Sequence, residues 1–242
     1  MSALQDIKKE LQHLANKETA KHSQRFFKTG KGEYGEGDIF LGIRVPILRK
    51  LAKKHPHLSL PNIQSLLKSK FHEQRLLAVI MLVNQYKLAD KQKQKEIFTL
   101  YTNNTKYINN WDLVDISAAN IVGAYLSDKN KKLLYDFSAS DDLWQRRIAV
   151  ISTYYFIRNN DFTDCLNIAE RLLNDPHDLI HKAVGWMLRE IGKKNQPTEE
   201  AFLDKYAYRM PRTMLRYALE KFPANLKKSY MAMKHGLTAH ES

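Results

Sequence analysis

The chain has 242 residues, 43% of them hydrophobic, and its 39 lysines and arginines against 26 aspartates and glutamates give a formal net charge of +13. This composition excludes an intrinsically disordered protein, and the excess of positive charge favours a polyanionic partner, nucleic acid before anionic membrane. Cys165 is the only cysteine, which excludes an internal disulfide and a cysteine-cluster metal site.

The hydropathy and histidine patterns argue against a membrane-spanning segment and a metal site. No apolar run has the length of a signal peptide or approaches the roughly 18 residues of a membrane span, so we expect a cytoplasmic protein that does not contact membranes. The nine histidines show no metal-ligand spacing, and we expect neither a metal ion nor any other cofactor. We also expect a monomer.

The chain begins with helices and a loop. Residues 1–29 are predicted to form N-terminal helices, because Leu4, Ile7 and Leu11 recur at intervals of three and four. Residues 30–46 are predicted to be a glycine-rich loop. An anion-binding loop is not favoured here, because the phosphate-binding and dinucleotide-binding spacings are absent and no strand precedes the loop. The glycines that cluster at its start are Gly30, Gly32, Gly35 and Gly37.

The remaining chain has a helical pattern with almost no strand signal. Residues 47–230 are predicted to be helical repeats, since apolar residues recur at helical spacing between clusters of helix breakers. Residues 231–242 are predicted to be a C-terminal tail. Pro46 suits the first turn of the helix that follows the loop, and Arg44 opens a dense basic group on that helix.

Three blocks share a basic residue followed by a run of small and apolar residues. The blocks start at Arg75, Arg147 and Lys182, with 72 residues between the first two and 35 between the last two. A missing copy would therefore fall at about residues 110–117. A period of this length indicates an all-α fold, an α-α superhelix or solenoid of HEAT-like helical repeats that forms one domain over residues 1–242. An irregular helical bundle is the competing architecture.

The missing copy contains a tryptophan and a carboxylate at helical spacing. Asn110 can cap a helix that begins at Trp111, which would place Trp111 and Asp115 on one face. In a purely structural role the pair is a buried indole and an acid that favours the helix dipole. Equivalent helices of a solenoid line one concave face, where Trp186 and Arg189 would join the pair. A carboxylate among phosphate-binding arginines is repelled by phosphate, and stabilising a positive charge would explain its presence.

Several motifs occur in a fixed order along the chain: Trp111-Asp-x-x-Asp115, Trp144-Gln145-Arg146-Arg147, Lys182-Ala-Val-Gly-Trp186-x-Leu-Arg189-Glu190, and the loop that ends with Phe40-Leu41-Gly42-Ile43-Arg44-Val45-Pro46. Together they resemble the AlkD-type DNA alkylation repair glycosylases over roughly residues 25–220. Members of that family are HEAT-like repeat proteins that excise N3- and N7-alkylated purines.

The resemblance also implies site residues. The catalytic residues would be Trp111, Asp115 and Trp186. The phosphate contacts would be Arg147 and Arg189, with Arg146 as the alternative to Arg147 because the two arginines are adjacent. Further DNA contacts are expected from Lys182 and Arg44.

The implied activity is a DNA glycosylase of base excision repair that acts on cationic alkylpurines in duplex DNA without a deep base-flipping pocket. Such a base leaves as a neutral molecule, so the enzyme needs negative charge and π density at an oxocarbenium-like sugar more than a strong acid. The main alternative is a non-catalytic HEAT-repeat DNA-binding protein that recognises damaged or bent DNA. A third is a protein-interaction scaffold, which the positive charge disfavours. Asp115 discriminates the first two, since a pure DNA binder gains nothing from a carboxylate that faces phosphate.

Overall fold

The computed structural model describes residues 3–233, and the regular secondary structure of this range is helical apart from an isolated β-bridge between Ile39 and Phe71. The all-α prediction is therefore confirmed. The α-helices are, in chain order, α1 (Ala3–His13), α2 (Lys17–Phe26), α3 (Val45–Lys54), α4 (Leu60–Leu67), α5 (His72–Leu88), α6 (Lys91–Thr102), α7 (Trp111–Ala118), α8 (Ala124–Leu126), α9 (Lys132–Ser138), α10 (Leu143–Ser152), α11 (Tyr154–Arg158), α12 (Thr163–Arg171), α13 (Asp178–Gly192), α14 (Gln196–Tyr206), α15 (Arg212–Ala218) and α16 (Ala224–Ala232).

Local signals place the first helices and the loop where the sequence predicts them. The helices α1 and α2 occupy the predicted N-terminal segment, and the Asn16 side chain caps α2 by accepting a hydrogen bond from the Thr19 amide at 2.9 Å. The predicted loop ends at α3, which begins at Val45 and has Pro46 in its first turn. Arg44 is the exposed residue immediately before this helix.

The chain divides into two compact units, with the division between Tyr125 and Leu126. In the first unit, α5 is buried along almost its whole length and packs against α3, α4 and α7. This explains why its middle, residues 76–83, is an uninterrupted apolar run. A single repeat domain across both units stays a prediction.

In the second unit the central helix is α13, which packs against α10, α14 and α15. A Cβ atom at Gly185 would lie 2.3 Å from the carbonyl oxygen of Met214, so only glycine permits this close approach of α13 to α15. The neighbouring Trp186 is thereby fixed on a helix whose backbone position is tightly determined.

The helical repeats follow a register that differs by one residue from the predicted one. Arg75, Arg146 and His181 are each the fourth residue of a helix, and each side chain contacts a carbonyl oxygen six residues earlier, at 3.1, 2.9 and 2.5 Å. The predicted equivalence of Arg75 with Arg147 and Lys182 is therefore wrong by one position. The error arises because the second copy has two adjacent arginines, and residue type alone does not show which of them is equivalent to Arg75.

The helix α7 lies where the intermediate copy is predicted, and it continues into α8 through a π-helical segment at Ala119–Gly123. At the other end of the chain, α16 ends at Ala232, and residues 234–242 of the predicted tail lie outside the described residues. None of the helices within residues 3–233 is long and apolar enough to cross a membrane.

Candidate functional site

The start of α7 is fixed inside the protein by one fully buried side chain. The Asn110 side-chain oxygen accepts a hydrogen bond from the Trp111 amide at 2.8 Å, as predicted for a helix cap. The Asn110 side-chain nitrogen donates to the Asp38 carboxylate at 3.3 Å. Because Asn110 is 0% exposed, the helix start is held from the interior and not by solvent.

Trp111 and Asp115 lie on the partly exposed face of α7, one helical turn apart. Leu113 and Val114 are fully buried and anchor the opposite face against the core. The apolar face therefore determines which way the indole and the carboxylate are directed. The pair is a combination of a π face and a negative charge that can approach a cationic ligand together.

Two phenylalanines that the sequence analysis did not identify hold the indole of Trp111. The Phe27 ring stacks on it with centroids 5.2 Å apart and an interplanar angle of 22°, and the Phe26 ring meets it edge to face at 5.9 Å. Phe27 also stacks on Phe40 at 5.1 Å. Such aromatic pairs restrict a ring more than general burial does. The only feature of the sequence that could have indicated this contact is the adjacent pair Phe26–Phe27 at the end of α2.

A buried, charged histidine binds two carboxylates at the start of the same helix. His72 Nε2 lies 2.8 Å from Asp112 Oδ2, and His72 Nδ1 lies 3.1 Å from Asp38 Oδ2. Burial alone would lower the pKa of His72, but the hydrogen bonds and charges of Asp112 and Asp38 outweigh burial and raise the pKa to about 9. The imidazole is therefore doubly protonated at neutral pH and donates to both carboxylates.

The loop after the glycine cluster is fastened to the first turn of α5. Glu73, which is 2% exposed, accepts hydrogen bonds from the amides of Leu41 and Gly42 at 2.7 Å and of Ile43 at 3.2 Å. Gly42 has a φ of +80°, and a Cβ atom there would lie 2.1 Å from the Asn16 carbonyl oxygen. Arg75 forms an ion pair with Asp38 in the same segment. These contacts fix Phe40 and Asp38, which contact Phe27 and Asn110 next to Trp111.

Three of the four glycine amides in the cluster are bonded within this part of the chain. The amides of Gly30 and Gly32 donate to the carboxylates of Glu33 and Glu36, each at 2.8 Å, and the amide of Gly35 donates to the Lys28 carbonyl oxygen at 3.1 Å. These amides are therefore engaged by the protein itself.

In the second unit, Trp186 is held by a carboxylate that collects three donors. Its indole Nε1 donates to Glu190 at 3.1 Å, and Arg189 and Lys193 donate to the same oxygen at 3.2 and 2.7 Å. The Tyr154 ring lies 6.0 Å from the indole, centroid to centroid. Glu190 follows Arg189 in the predicted motif, but its role as the common acceptor had no signal beyond its helical spacing from Trp186.

The predicted DNA-contacting side chains of this unit are engaged within the protein. Arg147 is 4% exposed and donates to the Leu179 carbonyl oxygen at 2.5 Å. Arg146 forms an ion pair with Asp175 at 2.6 Å. The other two pair with acids, Lys182 with Asp178 at 2.7 Å and Arg189 with Glu220. Phosphate contacts by Arg146, Arg147, Lys182 and Arg189 stay predictions.

Among residues 3–233, no group of three or more histidines, cysteines, aspartates and glutamates is arranged to hold a metal ion. The sequence pattern described as DNA alkylation repair enzyme matches residues 7–222. No curated protein sequence matches the chain.

Two solved structures have a similar fold. A predicted DNA alkylation repair enzyme from Enterococcus faecalis matches with a TM-score of 0.69 and 16% identity, over 87% of this chain and 97% of that one. AlkD2 from Streptococcus mutans matches with a TM-score of 0.53 and 17% identity, over 86% of this chain and 99% of that one. These likenesses confirm the predicted helical-repeat fold class.

Proposed function

The chain belongs to the DNA alkylation repair enzyme family, and from this premise we propose that it is a DNA glycosylase that removes purines alkylated at N3 or N7 from duplex DNA. The observation that carries the proposal is the pairing of Trp111 with Asp115. In a chain of net charge +13, a carboxylate and an indole share one partly exposed helix face whose start is buried and capped. Residues that only bound phosphate would not need this carboxylate.

The chemistry requires a negative charge beside the sugar. An alkylated purine carries a positive charge, so the C1′–N bond breaks with its electron pair moving to the base, which leaves neutral. The sugar then resembles an oxocarbenium ion. Asp115 stabilises this cation, directs a water molecule to C1′ and accepts a proton from that water as the new C–O bond forms.

In the proposed reaction each tryptophan contributes π density to a cationic group of the damaged nucleotide. Trp111 and Trp186 would contact the deoxyribose and the charged base with their ring faces, each adding about 0.5–2 kcal/mol. The stacking of Phe27 on Trp111 supports this role, because the indole need not be ordered again when DNA binds.

The arginines would hold the backbone on either side of the lesion. Lys182 and Arg189 are better placed for phosphate than the other predicted contacts of the second unit, because their partners Asp178 and Glu220 are surface side chains that a phosphate can displace. Arg147 would have to exchange its carbonyl partner for a phosphate, as would Arg146 its aspartate. Lys182 and Arg44 add positive charge. In this proposal the protein binds the DNA backbone around the lesion, and no deep base pocket is required.

The test is release of 7-methylguanine and 3-methyladenine from methylated duplex DNA by the wild type, Asp115→Asn and the exposed control Asp136→Asn. We expect release by the wild type and the control, with Asp115→Asn inactive and its DNA affinity equal or higher. If the wild type releases neither base but binds duplex DNA in a salt-sensitive manner, the glycosylase is excluded. The chain is then the non-catalytic reader of damaged or bent DNA.

A further inference from the structure

Three helices of the first unit enclose a cationic pocket of about 280 Å³. Ile116 of α7 and Asn120 of the π-helical segment that follows α7 line one side of it. Its polar lining consists of three basic side chains and two amides, which are Arg49 and Lys53 of α3, Asn84 and Lys87 of α5, and Asn120 after α7.

The positive charge of this pocket is not balanced by the protein. None of Arg49, Lys53 and Lys87 forms an ion pair with another residue of the described range 3–233, and no acid lines the pocket. Two other lysines of the first unit, Lys54 and Lys93, pair with Glu10 and Glu96, each at 2.9 Å. Arg49 and Lys53 stand one helical turn apart, where like charges destabilise a helix. An anion from outside the chain would remove that repulsion.

The pocket also offers neutral donors. The Asn120 side-chain nitrogen donates one hydrogen bond to the Ile116 carbonyl oxygen at 3.0 Å, which leaves its second N–H for a ligand. Asn84 is half-buried between the lysines. A guanidinium fork, two ammonium groups and amide donors are the set that binds a phosphodiester with several charge-assisted hydrogen bonds.

The position relative to Asp115 identifies which phosphate would bind. Ile116 and Asn120, which line the pocket, are one and five residues beyond Asp115 on α7 and its π-helical continuation, so the pocket and Asp115 are positioned by the same helical segment. We propose that Arg49, Lys53 and Lys87 bind a backbone phosphate of the strand that carries the damaged nucleotide, so that this pocket sets which nucleotide reaches Asp115. The location rests on the proposed function, whereas the phosphate binding does not depend on turnover.

The first measurement compares two double variants that remove equal charge. Lys53→Gln/Lys87→Gln alters the pocket, and Lys91→Gln/Lys95→Gln alters exposed lysines of α6 in the same unit. For binding to an undamaged duplex, we expect the pocket variant to lose about tenfold in affinity at low salt. Its slope of log affinity against log salt should become shallower by about 0.9, the value for one phosphate. We expect less than a twofold change for the control. Equal losses in the two variants would overturn the proposal.

The second measurement locates the contact by replacing single phosphates with neutral methylphosphonates around one defined nucleotide. We expect one linkage, within two nucleotides of the lesion, whose neutralisation weakens wild-type binding at least threefold and leaves the pocket variant unaffected. If every linkage that matters to the wild type matters equally to the pocket variant, the pocket does not bind the backbone.

These results separate the pocket from the glycosylase. We call a linkage coupled when its neutralisation weakens binding by the wild type but not by the pocket variant. A coupled linkage in a protein that releases no alkylpurine supports phosphate binding by the pocket and excludes the catalytic proposal. Release of alkylpurines without any coupled linkage does the reverse. Titration with inorganic phosphate tests whether the anion is a free phosphate. If the wild type binds phosphate at sub-millimolar concentration, the pocket variant does not, and no coupled linkage is found, the pocket is a small-anion site. That result would overturn the assignment to DNA.

Discussion

The two tryptophans of the predicted site are held in different ways. Trp111 stands at the start of a helix whose cap and supporting histidine are buried, and its ring is stacked on Phe27. Trp186 depends on a hydrogen bond to Glu190, a 9% exposed carboxylate that also binds Arg189 and Lys193. A buried cap and aromatic rings therefore order the first indole, while a shared network of ion pairs orders the second. Changes to the first support should act mainly on stability, and changes to the second on ligand response.

The largest effect is expected from removing the buried imidazolium. His72→Ala leaves the carboxylates of Asp38 and Asp112 without their common donor, which should lower the free energy of unfolding by about 3–5 kcal/mol. Urea denaturation of the variant beside the exposed control His57→Ala measures this. A loss as small as that of the control would show that the histidine is not a support of Trp111.

The same histidine predicts a pH dependence of stability. Its pKa is raised to about 9 in the folded protein from the ordinary value of 6.5. Its contribution is therefore complete below pH 6.5 and is lost as the pH rises through 9, roughly 2–3 kcal/mol in all. Unfolding free energies measured from pH 6 to 10 should fall over this range in the wild type and fall less in His72→Ala. Parallel profiles for the two proteins would contradict the assigned cause.

A buried carboxyl of the second unit has a different pH window. Burial, aided by the charge of Glu200, raises the pKa of Glu199 to about 8 from 4.5. A raised carboxyl pKa means that stability falls as the pH rises from 4.5 to 8 and then levels off. Glu199→Gln should flatten the profile in this window by at least about 2 kcal/mol, whereas the exposed Glu18→Gln should not. An unchanged slope between pH 5 and 8 would exclude Glu199 as its source.

The smallest effect on stability is expected at the second indole. Glu190→Gln keeps an acceptor for Trp186 but removes the negative charge that holds Arg189 and Lys193, while Arg189 keeps its pair with Glu220, so we expect about 1 kcal/mol of destabilisation. Release of alkylpurines should nevertheless change several-fold, because Arg189 then pairs with Glu220 alone. Comparing unfolding free energy with single-turnover release in this variant tests the contrast. A large loss of stability with unchanged release would show that the support of Trp186 acts on stability and not on ligand response.

The sequence predicted features that depend on neighbouring residues. The cap at Asn110, the shared face of Trp111 and Asp115, and the helix start at Pro46 all follow from contacts within about one turn of chain. Composition and periodicity were sufficient for the all-α class. Segments whose roles depend on local chemistry could therefore be predicted closely.

The features that were missed depend on residues far apart in the chain. His72 meets Asp38 and Asp112 across 34 and 40 positions, and no local pattern indicates such pairing. The repeat register was wrong by one residue, although a signal was available. Ser69 and Ser140 each precede a Gln-Arg pair by the same interval, which aligns Arg75 with Arg146. A repeated polar pattern defines register better than a basic residue alone.

The clamp of Glu73 on the loop before α3 has a consequence for how the molecule opens. The amide hydrogens of Leu41, Gly42 and Ile43 are donated to a buried carboxylate, although these residues belong to no helix. They should exchange with deuterium as slowly as amides at the centre of α5, since both are released only when this part of the chain unfolds. An irregular segment with core-like protection would mark the loop and the long helix as one cooperative unit.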